Sequence, residues 1–299
     1  MRATLIHNPS AGAGDRDTAD LVRRLERVGF ATTAWRGDPE SLAGCVADPG
    51  DLVVVAGGDG TVATIARRLA GTGVPMAVLP LGSANNIARS LGLVGGPEHL
   101  IAALPRAARR VLDVGLARGP WGEHRFLESA GIGLFARMLA VMERSPDLDE
   151  AAKRDPGFEP ALHVLRELLA HPVEPAWRVR LDGHEIPGPL LLLEAMNMRF
   201  VGPHLHLAPG ADPGDGLLDV VVARTDRRAA LAEYLAHRLE GEATLPGLEV
   251  VRGRRIEIAG GAREIHFDDE TWTGAARGGE RWAEIEAAAA RLEVLVPGL

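Results

Sequence analysis

The stretch Leu52-Val53-Val54-Val55-Ala56-Gly57-Gly58-Asp59-Gly60-Thr61 decides how this chain is built. An unbroken apolar run of Leu, Val and Ala predicts a strand buried on both faces, as in a parallel sheet covered by helices. The glycines that follow mark a sharp turn, and from Thr61 onward Val62, Ile65, Ala66 and Leu69 repeat at helical spacing. A glycine-rich strand-to-helix turn lets backbone N–H groups approach a phosphate with no Cβ in the way, and the helix N-terminus adds a favourable dipole. Asp59 is badly placed as a direct phosphate contact, because it repels the anion, and well placed when a divalent cation lies between them. The motif therefore points to a magnesium nucleotide. On that reading Asp59 is a cleft carboxylate whose removal costs function and little stability.

Working outward, the first hundred residues alternate strand and helix signals. Ala3 to His7 reads as a strand, followed by the turn Asn8-Pro9-Ser10-Ala11-Gly12-Ala13-Gly14. A helix with apolar Leu21, Val22, Leu25 and Val28 comes next, then a strand from Phe30 to Trp35 and a short helix from Pro39 to Val46. After the Thr61 helix, Met76 to Leu79 reads as a strand, and Pro80-Leu81-Gly82-Ser83-Ala84-Asn85-Asn86 leads into a helix from Ile87 to Leu91. This rhythm predicts a parallel sheet with helices on both faces. Ligands in such sheets bind beyond the carboxyl ends of the strands, where the turns at Asn8, Gly57 and Gly82 all lie.

The rhythm changes after Arg110. Short apolar or alternating runs follow at Val111–Ala117, Trp177–Leu181, Pro189–Ala195, Leu217–Ala223, Leu248–Val251, Ile256–Ile258, Glu264–Phe267 and Leu292–Val296. Gly, Pro and Asp separate them, which predicts an antiparallel sandwich or barrel-like second domain. Helices are expected at Ile132–Met142, Pro160–Ala170 and Arg227–Arg238. The boundary falls near Leu104-Pro105-Arg106, giving domains 1–107 and 108–299.

Composition narrows the function. The 299 residues carry a net charge of −8, which argues against a nucleic-acid protein, since backbone binding needs dense positive charge. No apolar run approaches the roughly 20 residues that span a bilayer. The first residues lack the apolar core of a signal peptide, and Cys45 is the only cysteine, so the expected address is the cytoplasm. Lys153 is the only lysine. A Walker-A loop needs a lysine beside its glycines, so ordinary P-loop and protein-kinase phosphate chemistry is excluded.

Asn8-Pro9 with its nearby glycines, Gly57-Gly58-Asp59-Gly60-Thr61 and Pro80-Leu81-Gly82-Ser83-Ala84-Asn85, in that order and spacing, resemble the diacylglycerol kinase catalytic domain of bacterial soluble lipid kinases and of sphingosine and ceramide kinases. The resemblance continues through Phe126-Leu127-Glu128-Ser129-Ala130-Gly131-Ile132-Gly133, through Leu207-Ala208-Pro209-Gly210-Ala211 with Asp215-Gly216-Leu217-Leu218-Asp219-Val220, and through Phe267-Asp268-Asp269-Glu270. It implies an α/β nucleotide-binding domain followed by a β-rich sandwich-like domain. It also implies an ATP-dependent lipid kinase, with a lipid substrate in a membrane and transient peripheral membrane contact; a homodimer stays open. ATP would meet Asn8, Gly57, Gly58, Asp59 (through Mg2+), Gly60, Thr61, Val62 and Ala63, with Thr33, Ser83 and Asn85 as further contacts. Glu270 would be the catalytic base alongside catalytic Asp59, with Asp268 the next candidate. The Asp215 carboxylate with the carbonyls of Asp212 and Leu217 would hold a structural Mg2+.

The departures matter too. The family often has Asn-Glu two and three residues after the turn's Thr, where this chain has Ala63 and Thr64. Asp269 replaces the glycine before Glu270. Two alternatives stay open: an NAD kinase, which shares the Gly-Gly-Asp-Gly-Thr turn, and a non-catalytic lipid-binding relative that kept the fold.

Overall fold

The computed structural model describes residues 1–12, 17–38, 48–155, 157–171, 177–242, 244–260, 264–274 and 281–297. The expected helix over Pro39–Val46, Cys45 and the last residues of the first turn lie outside them. The chain divides into two units, Met1–Val114 with Ala290–Leu299, and Gly115–Ala289.

The first unit alternates as its sequence does: β1 (Arg2–His7), α1 (Thr18–Arg27), β2 (Ala31–Arg36), β3 (Leu52–Gly57), α2 (Asp59–Leu69), β4 (Met76–Pro80), α3 (Asn86–Ser90) and α4 (Pro97–Ala103), then the start of β5 (Ala108–Gly119). The strands run parallel in the order β2-β1-β3-β4. β3 is the central strand, and Leu52 through Ala56 are all fully buried, as an unbroken apolar run requires when both faces are covered. α1 starts where the Asp17 carboxylate accepts from the Ala19 N–H at 3.0 Å, buries Leu21 and Leu25 one turn apart, and gives way at Gly29, whose φ is +96°. α2 buries Val62, Ile65, Ala66 and Leu69.

The second unit begins with the end of β5, which pairs antiparallel with β6 (Gly122–Phe126). It continues through β7 (Ser129–Gly133), α5 (Leu134–Glu143), α6 (Pro146–Arg154), α7 (Glu159–Ala170), β8 (Trp177–Leu181), β9 (His184–Ile186), β10 (Leu190–Met196), β11 (Phe200–Val201), β12 (Leu205–His206), β13 (Leu218–Arg224) and α8 (Arg228–Leu239). It closes with β14 (Glu249–Gly253), β15 (Arg255–Gly260), β16 (Glu264–Phe267), β17 (Glu270–Thr273) and the first part of β18 (Arg281–Val296). One antiparallel sheet has the order β14-β13-β10-β7-β16-β17. A second antiparallel layer contains β18, β15, β8 and β9. Ile132, Leu193, Val220 and Ile265 from the first sheet meet Val179, Ile256, Ile258 and Ile285 from the second in one core, which makes this unit a β-sandwich. α5 covers the other face of the first sheet against β7 and β16, and the remaining helices pack in sequence beside it.

One expectation changes. Ile132 belongs to a strand: Ser129–Gly133 is β7, and Gly133, at φ +94°, separates it from a helix that starts at Leu134. The run Leu292–Val296 is the end of a 16-residue strand. Its middle, Ala287-Ala288-Ala289-Ala290, carries no strand alternation, and Ala288 sits at φ +49°. The end of that strand pairs parallel with β4, Val294 beside Met76 and Leu295 beside Ala77. The first unit therefore takes in the C-terminal residues that a boundary at 107/108 would leave with the second.

Val294 is fully buried in that pairing. Val294→Ala is expected to destabilise the first unit by about 2 kcal/mol, the transfer of two buried carbons plus a cavity. Urea unfolding checks this, and an unchanged midpoint would show that the strand end adds nothing to the unit.

Candidate functional site

In the first unit the turns after β1, β3 and β4 interlock at the carboxyl ends of their strands. The Asn8 amide Nδ2 donates to the Thr61 hydroxyl at 2.9 Å, and the Asn8 Oδ1 accepts from the Ser10 N–H at 3.0 Å. The Asn8 N–H donates to the Ala56 carbonyl and the Leu81 N–H to the Gly57 carbonyl, both at 2.9 Å. A Cβ on Gly82 would lie 2.5 Å from the Gly58 Cα, and one on Gly58 would lie 3.2 Å from the Gly82 Cα. Two backbones touch there, so the glycines are required by close approach. The N-cap of α2 is Gly58, which has no side chain to cap the helix, and the first turn of α2 begins at this turn.

The Asp59 carboxylate ties the arrangement together. Its Oδ2 accepts from the Asn86 N–H at 2.9 Å and its Oδ1 from the Ile87 N–H at 3.0 Å. It thus caps α3 from a position 27 residues away in the chain. This corrects the expectation that Asp59 is a cleft carboxylate of little structural weight: each of its oxygens holds a backbone amide.

The other residues expected around a nucleotide fall into distinct places. Gly57 and Thr61 are buried within the interlocked turns. Val62 and Ala63 are buried with the apolar face of α2, and the Val62 N–H donates to the Gly58 carbonyl at 3.0 Å, so their side chains serve packing. Asn85 stands at φ +51° and closes on its own turn: its Oδ1 accepts from the Gly82 N–H at 2.9 Å, and its Nδ2 donates to the Gly82 carbonyl at 2.6 Å. Ser83 is exposed beside it. Thr33 pairs with Thr4 in mid-strand, and Asn8 lies four residues further along β1, about 13 Å at strand rise. The structure does not bring Thr33 to the turns.

In the second unit, Glu270 is exposed at the start of β17, with its Oε1 3.6 Å from the Nε2 of His124. The neighbouring Thr271 hydroxyl donates to the Glu143 carboxylate of α5. Asp268, one side of the Phe267–Glu270 hairpin turn, is buried at φ +53°. Its carboxylate accepts from the N–H groups of Leu127 at 3.0 Å and Glu128 at 2.7 Å. The Leu127 carbonyl in turn accepts from the Asn197 Nδ2 at 2.9 Å. Asp268 is therefore an anchor of the 127–129 segment rather than a spare base beside Glu270. Below it, His266 and Glu194 form a wholly buried pair, Nε2 to Oε2 2.7 Å, while the His266 Nδ1 donates to the Asp268 carbonyl at 3.0 Å. Burial pushes the Glu194 carboxyl up from its ordinary pKa. For His266 burial pulls down, and the Glu194 charge and hydrogen bond outweigh it, so the imidazole is held above its ordinary value.

The loop read as a metal site has a different charge balance. The Asp215 Oδ1 accepts from the Leu217 N–H at 2.9 Å, the Asp212 Oδ1 accepts from the Gly214 N–H at 3.2 Å, and the Asp212 carbonyl accepts from the Asp215 N–H at 3.4 Å. The Asp215 Oδ2 is ion-paired with Arg252 of β14, whose Nε is also 3.7 Å from the Asp219 carboxylate. Burial, and then the nearby Asp212 charge, raise the Asp219 pKa. Among the described residues no group of three or more His, Cys, Asp or Glu side chains is arranged to hold a metal. The Asp215 carboxylate already has a guanidinium partner, so an Mg2+ held by it with the Asp212 and Leu217 carbonyls would share that carboxylate with Arg252.

Several of these residues carry no signal in the sequence. Glu194 sits in the apolar run Leu190-Leu191-Leu192-Leu193-Glu194-Ala195, where a lone carboxylate in a buried strand was the available clue. His266, His124 and Arg252 belong to alternating strands in which a polar residue ordinarily faces solvent.

Two measurements test this geometry. Asp59→Ala leaves two buried-turn amides without an acceptor and is expected to lower the first unit's stability by about 1–3 kcal/mol, read by thermal or chemical unfolding; a wild-type transition would return Asp59 to the role of a bystander carboxylate. In the loop, Asp215→Ala and Arg252→Ala are expected to lower the melting temperature by similar, non-additive amounts, with EDTA leaving the wild type unchanged. Melting that falls on chelation would restore the metal.

Comparison with known proteins supplies the lineage. Residues 2–117 match the diacylglycerol kinase catalytic domain, and residues 156–289 match the YegS C-terminal NAD kinase beta sandwich-like domain. The chain is 28% identical to a diacylglycerol kinase of Mycobacterium tuberculosis over 99% of its own length and 95% of that protein. It is 32% identical to a Pseudomonas putida protein described as "Probable lipid kinase YegS-like", over 82% of this chain and 83% of that one. A protein of the same description from Pseudomonas aeruginosa is 33% identical, over 85% and 84%. A Bacillus anthracis diacylglycerol kinase crystal structure shares the fold, with a TM-score of 0.66 at 18% identity, over 98% of this chain and 96% of that one. Two domains matched in order and relatives above 30% identity over most of the chain lead to one conclusion: this protein belongs to the diacylglycerol kinase/YegS-like family of lipid kinases.

Proposed function

We propose that this protein is an ATP-dependent lipid kinase that transfers the γ-phosphoryl group of Mg-ATP to a hydroxyl of a diacylglycerol-like lipid. The observation that carries the reading is the interlocked set of turns after β1, β3 and β4, with the N-terminus of α2 among them. Phosphates fit such a place, since glycines at 57, 58 and 60 put no long side chain between the backbone N–H groups and an anion. Gly57, Gly58, Gly60 and Thr61 would hold the phosphates, and the Asp59 carboxylate would hold Mg2+. When bound, the cation neutralises charge that builds up on the transferred group.

The chain's own contribution is orientation and proton transfer. Glu270 is an exposed carboxylate on a turn held from below, and in this reading it takes the proton of the lipid hydroxyl. The names of the relatives, diacylglycerol kinase and lipid kinase, support a lipid acceptor. Among the described residues no helix is long and apolar enough to cross a membrane. The proposed encounter with lipid is accordingly peripheral and transient, from the cytoplasmic side.

The test is transfer of label from γ-labelled ATP to diacylglycerol, monoacylglycerol or sphingosine in mixed micelles, with NAD as a competing acceptor. Label in a lipid is the expected result. Label in NAD alone would make the protein an NAD kinase, and no transfer to any acceptor would leave a lipid-binding relative. Glu270→Gln keeps shape but cannot take a proton, so kcat is expected to fall on the order of 10²–10⁴-fold while ATP affinity holds. An unchanged kcat would move the base elsewhere.

A further inference from the structure

Three neighbouring strands of the sandwich place three unusual residues in one row. Gly131 of β7 is registered with Glu194 of β10 on one side and with His266 of β16 on the other. Glu194 and His266 are thus two strand spacings apart, about 10 Å between backbones, and their side chains must meet above the strand between them. They do so because the middle residue is glycine. A Cβ on Gly131 would run into the Glu194 carboxylate. The row lies on the sheet face turned from the sandwich core: Ala130, Ile132, Leu193, Ala195, Ile265 and Phe267, the neighbours in alternation, all point into that core. The Phe135 ring of α5 packs edge-on against His266 at a centroid distance of 4.9 Å.

A titratable pair with both side chains 0% exposed is a costly way to fill a protein interior, and apolar residues of the same volume ordinarily serve stability at least as well. The second nitrogen of His266 shows what the pair does. Its partner is the Asp268 carbonyl, which can only accept, so the Nδ1 carries a proton, and the Nε2 shares a proton with the Glu194 Oε2. Glu194 therefore fixes the ring, the ring fixes the Asp268–Asp269 peptide, and the same Asp268 is clamped from the other side by the N–H groups of Leu127 and Glu128. Asp268 needs that hold, because it occupies the left-handed region at φ +53°. Glu270 is the next residue but one.

We propose that the buried Glu194–His266 pair, meeting over Gly131, is a positioning device that fixes the Asp268–Asp269 turn and so aims the Glu270 carboxylate at the substrate hydroxyl. His266 touches no substrate and works only through the turn. The inference rests on Glu270 being the base. It makes the glycine of β7 a functional requirement, since any side chain there would part the pair.

The test compares kcat and the KM for ATP in the wild type, His266→Phe, Glu194→Gln, Glu270→Gln and the double variant His266→Phe/Glu270→Gln, assayed well below each melting temperature. His266→Phe keeps an aromatic ring under Phe135 and loses both hydrogen bonds. It is expected to lower kcat about 10²-fold, the usual scale for a misplaced catalytic group, with the KM for ATP unchanged. Glu194→Gln keeps an acceptor for the ring nitrogen and is expected to retain most of kcat. In the Glu270→Gln background, His266→Phe is expected to cost nothing further, because no base is left to aim. A folded His266→Phe enzyme with wild-type kcat would overturn the proposal, as would an equal loss with and without Glu270, the mark of a purely structural pair. If His266→Phe does not fold, Gly131→Ala separates the pair from the middle strand and is held to the same outcomes. Failure of the two readings is distinguishable. A Glu270→Gln enzyme at full activity removes the base, and the inference with it. An inactive Glu270→Gln beside a fully active His266→Phe removes the inference alone.

Discussion

The contact on which the first unit's site depends is the Asp59 carboxylate on the amides of Asn86 and Ile87. β3 and β4 are neighbours in a parallel sheet, so the turns that leave them are brought side by side by the sheet itself. Side by side is not yet fixed. Each turn is rich in glycine, and glycine gives up the most conformational freedom on folding. A charged acceptor reaching from one turn to two amides of the other makes a pair of charge-assisted hydrogen bonds, and these cost the turns their independence. The backbone contact of Gly58 with Gly82 and the Asn8–Thr61 bond then fall inside a frame already closed. If the proposed nucleotide binds here, its phosphates would meet amides that need not be reorganised, the condition under which electrostatic stabilisation is most effective.

The second unit solves a similar problem with the same chemistry. Asp268 sits in a tight turn and its carboxylate gathers amides of the Leu127–Glu128 segment, as Asp59 gathers those of α3. In both places an aspartate is short enough to be held by its own turn and acidic enough to satisfy two donors on a distant segment. The residue left facing solvent is the longer one, Glu270, whose extra methylene carries the carboxylate clear of the turn that anchors it. The hairpin thus treats its two acids differently: Asp268 fixes the backbone, and Glu270 stays exposed, as the proposed proton transfer would require.

What could be read from the sequence follows from how local each signal is. The run Leu52–Ala56 and its glycine turn specify a buried strand and a strand-to-helix connection within ten residues, and both are present. Most short strands of the second unit are legible for the same reason, since alternation is a property of consecutive residues. β7 is legible only through the resemblance, which reads residues 126–133 as the family's central strand and turn: Ser129-Ala130-Gly131-Ile132-Gly133 has small residues in place of the alternating apolar ones, and Ile132 continues smoothly into the helical spacing of α5. The reason for Gly131 lies one strand away in each direction, in Glu194 and His266, and no window of sequence contains all three. β18 hides its course for the opposite reason: four alanines in its middle fit any periodicity, so only its last residues read as a strand. At the site, Asp59 and Glu270 stand out by their motifs, while the partners that give Asp59 and Asp268 their structural work are reached only through the fold.

The loop at Asp212–Leu217 shows how far a motif can be carried before its surroundings decide. A carboxylate, two carbonyls and a glycine turn look alike whether the positive partner is a divalent cation or a side chain, because both need the same oxygens pointing the same way. The partner in this chain comes from β14, the edge strand beside β13, where Arg252 is registered opposite Asp219. From that register the guanidinium reaches the Asp215 carboxylate and lies near that of Asp219. Asp219 is 4% exposed, and burial and then the Asp212 charge push its pKa up, so a neighbouring cation favours its charged form. An arginine supplies it permanently, since its guanidinium stays charged at any pH at which the protein folds and its fork can serve two carboxylates at once. A divalent cation at this loop would have to share the Asp215 carboxylate with Arg252 or displace it. In a chain with one lysine and many arginines, a fixed guanidinium is the counter-ion most readily at hand for this turn.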